Sequence, residues 1–506
     1  MPANFRLFIT RLSEWTERHA GALLPLILIA FAAQRWVASS ARPLWFDEMF
    51  TFDLATAPTW RLFKAGLTAD GNPPVYALLA RVSMHIFGAS EAALRLPSLI
   101  AYLAAIVLLY KFVRYRQDGL TALLAVMVFV THPWPSYYAT EARPYAIVLL
   151  FAALSLTGWR MAVSAHHPRR WGIWIMSASI AAAVLSYHMA LPAVLLPVAA
   201  GELWRSFQRK RLDLALIGAG AAALLPLVYT LRLIRATKTL MLAHVLQNQP
   251  VSLVNLVHGY EQIPSPYLFF VSLAAFVLTL YLTRHRAPAV SPLISWPGYE
   301  LFALLVLCAN LATVFILIRL STHYYAGPRY GISSFWGVAI LEALLFSAFL
   351  PEFRLVLLVL LTPLLLRGIH PSTRMADPVL SCLQSLPVQP IVVGRGLYYP
   401  SAWHYAAPPL RSRLFYLSGA ENASLGRYSV EDLAIVLAEP LAPMQVSELR
   451  PFLATNPHFL VVTDDAGMPD EVELLKYLTA HGFHMEVMKE PSCEAPSLQI
   501  QDVTRP

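Results

Sequence analysis

Apolar runs separated by short cationic loops recur from Gly21 to Leu366, and this rhythm limits the possible folds more than any single motif does. A run of about 20 mostly apolar residues crosses a bilayer as a helix, because in hydrocarbon the backbone must satisfy its own hydrogen bonds. Such runs lie at 21–33, 91–110, 120–134, 144–163, 171–185, 190–203, 212–231, 266–282, 299–318 and 331–350, with a short one ending at 366. They predict an all-α polytopic membrane protein with about eleven transmembrane helices. With 57% hydrophobic and 13% charged residues, a soluble enzyme is excluded.

The loops then set sidedness. Lys111, Arg114 and Arg116, the pair Arg169 and Arg170, the cluster Arg205, Arg209, Lys210 and Arg211, and Arg284 with Arg286 fall in alternate loops, as cytoplasmic loops do. Those loops account for much of the excess of 38 Lys and Arg over 30 Asp and Glu. No basic patch with interleaved aromatics is left for a nucleic acid. Arg6, Arg11 and Arg18 ahead of the first run give it the charge layout of a signal peptide, with Ser39-Ser40-Ala41 as a cleavage site, or of a first membrane anchor; the many later spans favour the anchor, with a cytoplasmic N-terminus. The segment 74–88 is short and contains Arg81 and His85. It reads as a helix lying along the outer surface of the bilayer, which makes 40–91 one long external loop.

Residues 1–369 thus form the membrane domain. An odd span count leaves 370–506 outside the cytoplasm. That tail changes character: strand-like runs at 390–393, 459–462 and 483–488 surround a helical pattern at 471–480, the signature of a small soluble α/β domain. Cys382 and Cys493 are available for one disulfide there, Cys308 sits in an apolar run, and no cysteine has metal-ligand spacing. The Asn422-Ala423-Ser424 sequon carries no weight without a known host.

Chemistry concentrates in the loop after the first run, where Asp47 and Glu48 follow Trp45 and Phe46. Ionised groups at the membrane edge persist when they work or are well paired. On the same face the register places Asp70, Asn72, Arg95, Tyr138, Glu141, Arg143, Tyr145, His188, Arg232, Arg235, Lys238, Arg329 and Tyr330. External cations run against the charge rule, so Arg95, Arg143 and Arg329 call for an explanation. A phosphate headgroup provides one, since guanidinium binds phosphate oxygens bidentately. A carboxylate beside such cations can deprotonate an incoming hydroxyl while the arginines stabilise a departing phosphate. Simpler roles stand beside these: Arg95 and Arg143 snorkelling to headgroups, Glu141 pairing with Arg143, Asp47 and Glu48 as acids opening a helix, and His188 as a turn residue.

Taken together, Trp45-Phe46-Asp47-Glu48, Asn72-Pro73-Pro74-Val75-Tyr76, the stretch 87–98 with Arg95, and Tyr137-Tyr138-Ala139-Thr140-Glu141-Ala142-Arg143-Pro144-Tyr145 form an ordered set. This set resembles the bacterial relatives of the protein O-mannosyltransferases and of the lipid A aminoarabinose transferase. Gly327-Pro328-Arg329-Tyr330 is similar to a late Arg-Tyr motif of the same group. These are GT-C fold glycosyltransferases that use polyprenyl-phosphate sugars.

The resemblance implies Asp47 as catalytic base, with Glu48 assisting. It places Asn72, Tyr76, Arg95, Tyr138, Glu141, Arg143, Tyr145, His188, Arg329 and Tyr330 around substrate and donor phosphate. The family commonly has His where this chain has Asn72, which leaves an amide in place of an acid-base or metal group. The implied activity is inverting transfer of one sugar from a polyprenyl-phosphate donor to a lipid, glycan or protein acceptor at the periplasmic face of a bacterial inner membrane. No cofactor is implied. A divalent cation on Asp47 and Glu48 lacks further ligands at suggestive spacing. A flippase for polyprenyl-linked glycans would more often show internal repeats and mid-bilayer charges. A non-catalytic glycan-binding subunit of an envelope machine is the third class.

Overall fold

The computed structural model describes residues 3–70, 72–244, 296–321, 328–347, 349–366, 378–418, 434–436, 438–464, 469–488 and 498–505. The expected span at 266–282, the loop arginines Arg284 and Arg286, the sequon at Asn422 and Cys493 lie outside the described residues.

The chain opens with α1 (Ala3–Ala41), α2 (Phe46–Thr56), α3 (Trp60–Asp70), α4 (Val75–Phe87), α5 (Glu91–Arg114) and α6 (Gly119–Thr131). It continues through α7 (Pro133–Tyr137), α8 (Tyr145–Val163), α9 (Arg169–Val184), α10 (Leu191–Arg209), α11 (Leu214–Ala222) and α12 (Leu227–His244). Further helices span Gly298–Cys308, Asn310–Ser321, Ser333–Ser347 and Pro351–Leu366. The short amphipathic segment expected on the membrane surface is α4. Arg232 and Arg235, expected in a loop, extend α12 instead.

Among the described residues four helices are long and apolar enough to span a membrane singly, and two bent pairs raise the number to six. The run at 120–134 is one such pair, bent by 69° after α6. Pro133 opens α7 without an N–H to continue the helix. The run at 299–318 bends by 48°. There the backbone N–H of Leu311 donates to Ser334 Oγ (3.0 Å), so a neighbouring helix takes up a main-chain donor at the break, and the Asn310 side chain donates from Nδ2 to Ser333 Oγ (2.9 Å).

Packing in the bundle uses rings and small residues. Phe31, Tyr102 and Phe129 stack at 5.3 and 5.0 Å and join α1, α5 and α6. α8 and α9 touch through Gly158 and Gly172, and a Cβ on Gly158 would lie 2.6 Å from the Met176 backbone nitrogen.

The end of the bundle reached by the C-terminal turns of α5 and α8 is laced with ion pairs. Glu300 takes Arg160 and, at 2.6 Å, Arg116; Arg205 holds Glu202 at 2.7 Å and Asp213 at 2.8 Å; Arg354 holds Asp118. α2 packs on α3 and α4 at the other end.

In the tail, β1 (Ile391–Val393), β2 (Leu414–Ser418), β3 (Val446–Glu448), β4 (His458–Asp464), β5 (His484–Val487) and β6 (Leu498–Thr504) make one sheet in the order β3-β2-β1-β4-β6-β5. The first four in that order run parallel, and β6 is antiparallel to both β4 and β5. β1 is buried on both faces, as a central parallel strand must be when helices cover both sides. Ile391 and Val393 face one apolar cluster and Val392 the other. Phe46 of α2 is buried in the first of these clusters, so the sheet domain rests on the helix that carries Asp47.

Candidate active site

α2 begins at Phe46 after an extended Trp45, so Asp47 and Glu48 occupy its first turn, where free N–H groups and the helix dipole favour acids. Neighbours on a helix do not share a face, and these two part company. Glu48 is fully buried. Its Oε2 accepts the Trp45 N–H at 3.4 Å and its Oε1 the Ala142 N–H at 2.7 Å.

Arg95 holds the same carboxylate with Nε to Oε1 at 2.7 Å and Nη2 to Oε2. The remaining Arg95 bonds reach the carbonyls of Ser39 (2.7 Å), Arg42 (2.6 Å) and Pro43 (2.9 Å). A guanidinium has five N–H groups, and here every one is engaged. Arg95 therefore has no donor left for the phosphate contact the sequence suggests, and Glu48 no free oxygen facing a substrate. Together they tie the stretch 39–48 to α5 and to the loop before α8. Tyr76 is likewise structural: its hydroxyl is buried, 2.9 Å from Ser98 Oγ and 3.4 Å from the Leu94 carbonyl. Ser98 in turn donates to the Glu141 carbonyl at 2.6 Å.

Asp47 points the other way, with about a quarter of its side chain exposed. Arg329 Nη1 lies 3.7 Å from its Oδ2, and Arg143 Nη1 donates to its backbone carbonyl at 3.2 Å and to Asp70 Oδ1 at 3.0 Å. Arg329 also sits over the rings of Tyr330 (5.2 Å) and Trp45 (5.8 Å). Tyr145 meets Tyr138 at 5.3 Å, Tyr187 at 5.8 Å and Tyr330 at 6.2 Å, and Tyr187 stacks on Tyr330 at 6.0 Å. Four tyrosines thus wall the ground beside the Asp47 and Arg329 pair. Asn72 Nδ2 donates to Asp70 Oδ2 at 3.0 Å, while its Oδ1 is buried without a partner.

Two titratable groups complete the site. Both Glu141 carboxylate oxygens are buried with no hydrogen-bond partner. Burial first, then the nearby charge of Glu48, pushes its carboxyl up to about 8, against pull from Arg329 and Arg143. His188 rests 4.7 Å from the Tyr187 ring, and burial holds its imidazole down at about 4, so it is neutral at pH 7. Among the described residues, no three His, Cys, Asp or Glu side chains are grouped to hold a metal ion.

Asp47, Asn72, Tyr138, Glu141, Arg143, Tyr145, His188, Arg329 and Tyr330 thus come together from five separate stretches, joined by Asp70. The sequence does not single out Tyr187: an aromatic at a span end reads as part of the interfacial belt, and only the fold turns it onto Tyr145 and Tyr330.

Residues 71–231 match the family described as dolichyl-phosphate-mannose-protein mannosyltransferase. ArnT from Cupriavidus metallidurans bound to undecaprenyl phosphate superposes with a TM-score of 0.52 at 14% identity, covering 94% of this chain and 97% of that one. Its fold is the GT-C fold. The apo state of the same ArnT gives a TM-score of 0.52 at 14% identity over 96% and 98% of the two chains. The oligosaccharyltransferase of Archaeoglobus fulgidus in its apo form covers 93% of this chain and 74% of its own at 13% identity, with a TM-score of 0.48. No curated protein matches the chain. Within this GT-C scaffold the family match begins just after Asp70 and takes in Asn72, Glu141, Arg143 and His188, while Asp47 and Arg329 lie on either side of it.

Proposed function

We propose that the protein is an inverting glycosyltransferase that moves one sugar from a polyprenyl-phosphate donor to a lipid, glycan or protein acceptor, with its site on the periplasmic face of a bacterial inner membrane. The observation that carries this reading is the partly exposed Asp47 carboxylate set 3.7 Å from Arg329 beside a wall of tyrosines.

In the reaction the acceptor oxygen attacks the anomeric carbon from the face opposite the phosphate. The bond from that carbon to the phosphate oxygen breaks, and the acceptor proton passes to Asp47 as general base. One displacement inverts the anomeric centre and releases polyprenyl phosphate. Arg329 and Arg143 face the charge that grows on the leaving oxygen. Glu141, neutral below about pH 8, donates a hydrogen bond to the same phosphate. The tyrosine rings give the sugar apolar faces to lie against.

Lipid access has its own support. α4, α5 and α8 enclose an apolar groove of about 300 Å³ lined by Leu79, Val82, Ile86, Leu96, Ile100 and Phe151, a surface suited to an isoprenoid chain. The resident of the ArnT structure, undecaprenyl phosphate, is a lipid of this kind. The cationic loops at the opposite end of the bundle support a cytoplasmic N-terminus and a periplasmic tail.

The test is biochemical. Membranes lacking the protein should accumulate one polyprenyl-phosphate sugar, and the purified protein in liposomes should consume that lipid and release polyprenyl phosphate. A lipid that crosses the bilayer unchanged, with no phosphate product, would replace this reading with transport.

A further inference from the structure

We infer that the C-terminal sheet domain is a positioning element for α2, acting through Tyr405. The inference rests on Asp47 being the base and goes beyond it by giving the tail a part in catalysis.

The contact is made at the residues that flank Asp47. Phe46, immediately before it, is 7% exposed and packs in the sheet domain's cluster with Leu383, Tyr399 and Ala402. On the helix Tyr399–Tyr405, Tyr405 Oη accepts the Leu44 N–H at 2.9 Å and donates to Glu91 Oε1 at 3.1 Å. His404 sets its ring edge-on to Phe52 at 4.8 Å. Leu44 belongs to the irregular stretch leading into α2, and Glu91 is the first residue of α5, the helix that supplies Arg95.

Tyr405 therefore bridges the same two pieces that the Glu48 and Arg95 pair joins from inside. Asp47 stands between the two clamps. Its 3.7 Å approach to Arg329 is longer than a direct hydrogen bond, so it depends on how α2 is set. A displacement of about 1 Å at a reacting group can cost about 10²-fold in rate. The phenol hydroxyl is the feature that acts, because the ring alone would fill the same space.

The experiment uses the full chain in lipid nanodiscs. Tyr405→Phe keeps the ring and removes both bonds. Expected are a kcat lowered about 10-fold, an unchanged KM for the lipid donor, an unchanged melting temperature, and faster amide exchange confined to about residues 42–50. Phe46→Leu, which keeps an apolar plug, should give a milder version of the same pattern. Wild-type kcat with unchanged exchange at 42–50 overturns the inference. So does exchange that rises across β1 and β4 with a fallen melting temperature, since that is loss of the tail's own fold. The exchange readout is independent of the base: if Asp47→Asn stays active while Tyr405→Phe still loosens 42–50, the base assignment falls and the clamp stands.

Discussion

Asp47 and Glu48 are adjacent in the chain and separate in task. Glu48 is locked behind the site by Arg95, and breaking a buried pair by neutralising one partner costs about 3–5 kcal/mol, because the other charge stays buried alone. Glu48→Gln should therefore lower the yield and melting temperature of the folded protein, whereas Asp47→Asn should leave both unchanged; thermal melts of the two variants in detergent check this. The sequence shows an acid pair at a helix start, yet it cannot show which acid faces inward. That choice is made by Arg95, 47 positions from Glu48, and by the backbone amide of Ala142. Glu141 yields a second outcome at this scale. Its carboxyl ionises near 8, above the ordinary range, so the neutral form is complete at pH 6 and is lost as pH rises through about 8. The pH profile of kcat/KM should fall on that alkaline side, and Glu141→Gln should abolish this limb while retaining donor binding. A limb that persists in the variant assigns the titration elsewhere. His188, held neutral at about 4, should contribute no inflection between pH 5 and 8.

At the scale of elements, hydropathy registers the length of an apolar run and says little about bends. The break after α6 was visible in principle, since Pro133 and Pro135 stand at it. The break at Ala309 has no proline, and the serines that bond to it, Ser333 and Ser334, lie on another helix. The near-contact of α8 and α9 was equally hidden, because a glycine in an apolar run looks like any small residue. That contact has a measurable consequence. A side chain at Gly172 would meet the backbone of Ala162. Gly172→Leu should separate the helices and destabilise the protein by at least about 1–3 kcal/mol, and Gly218→Leu, where nothing lies within 4 Å of a new Cβ, serves as the neutral control. Equal melting temperatures for the two would mean that the helices do not meet there.

For the whole molecule, β1, β4 and β5 are legible as short strand-like runs in the tail, whereas β2, β3, β6 and the tail's seat on α2 are not. An apolar Phe46 can be buried by lipid, by the bundle or by the tail, and only the fold selects the last. Because the tail packs on the loop that holds Asp47, both must lie on one side of the membrane. A reporter fused after Pro506 should therefore signal from outside the cytoplasm, and a cytoplasmic signal would overturn the proposed sidedness of the site as well as of the tail. Everything proposed about catalysis depends on Asp47 acting as a base in a pocket completed by Arg329 and Arg143. The most direct measurement is transfer and donor binding on one preparation of Asp47→Asn: transfer should fall by about 10²–10⁴ with donor affinity retained, and transfer at the wild-type rate would contradict the account.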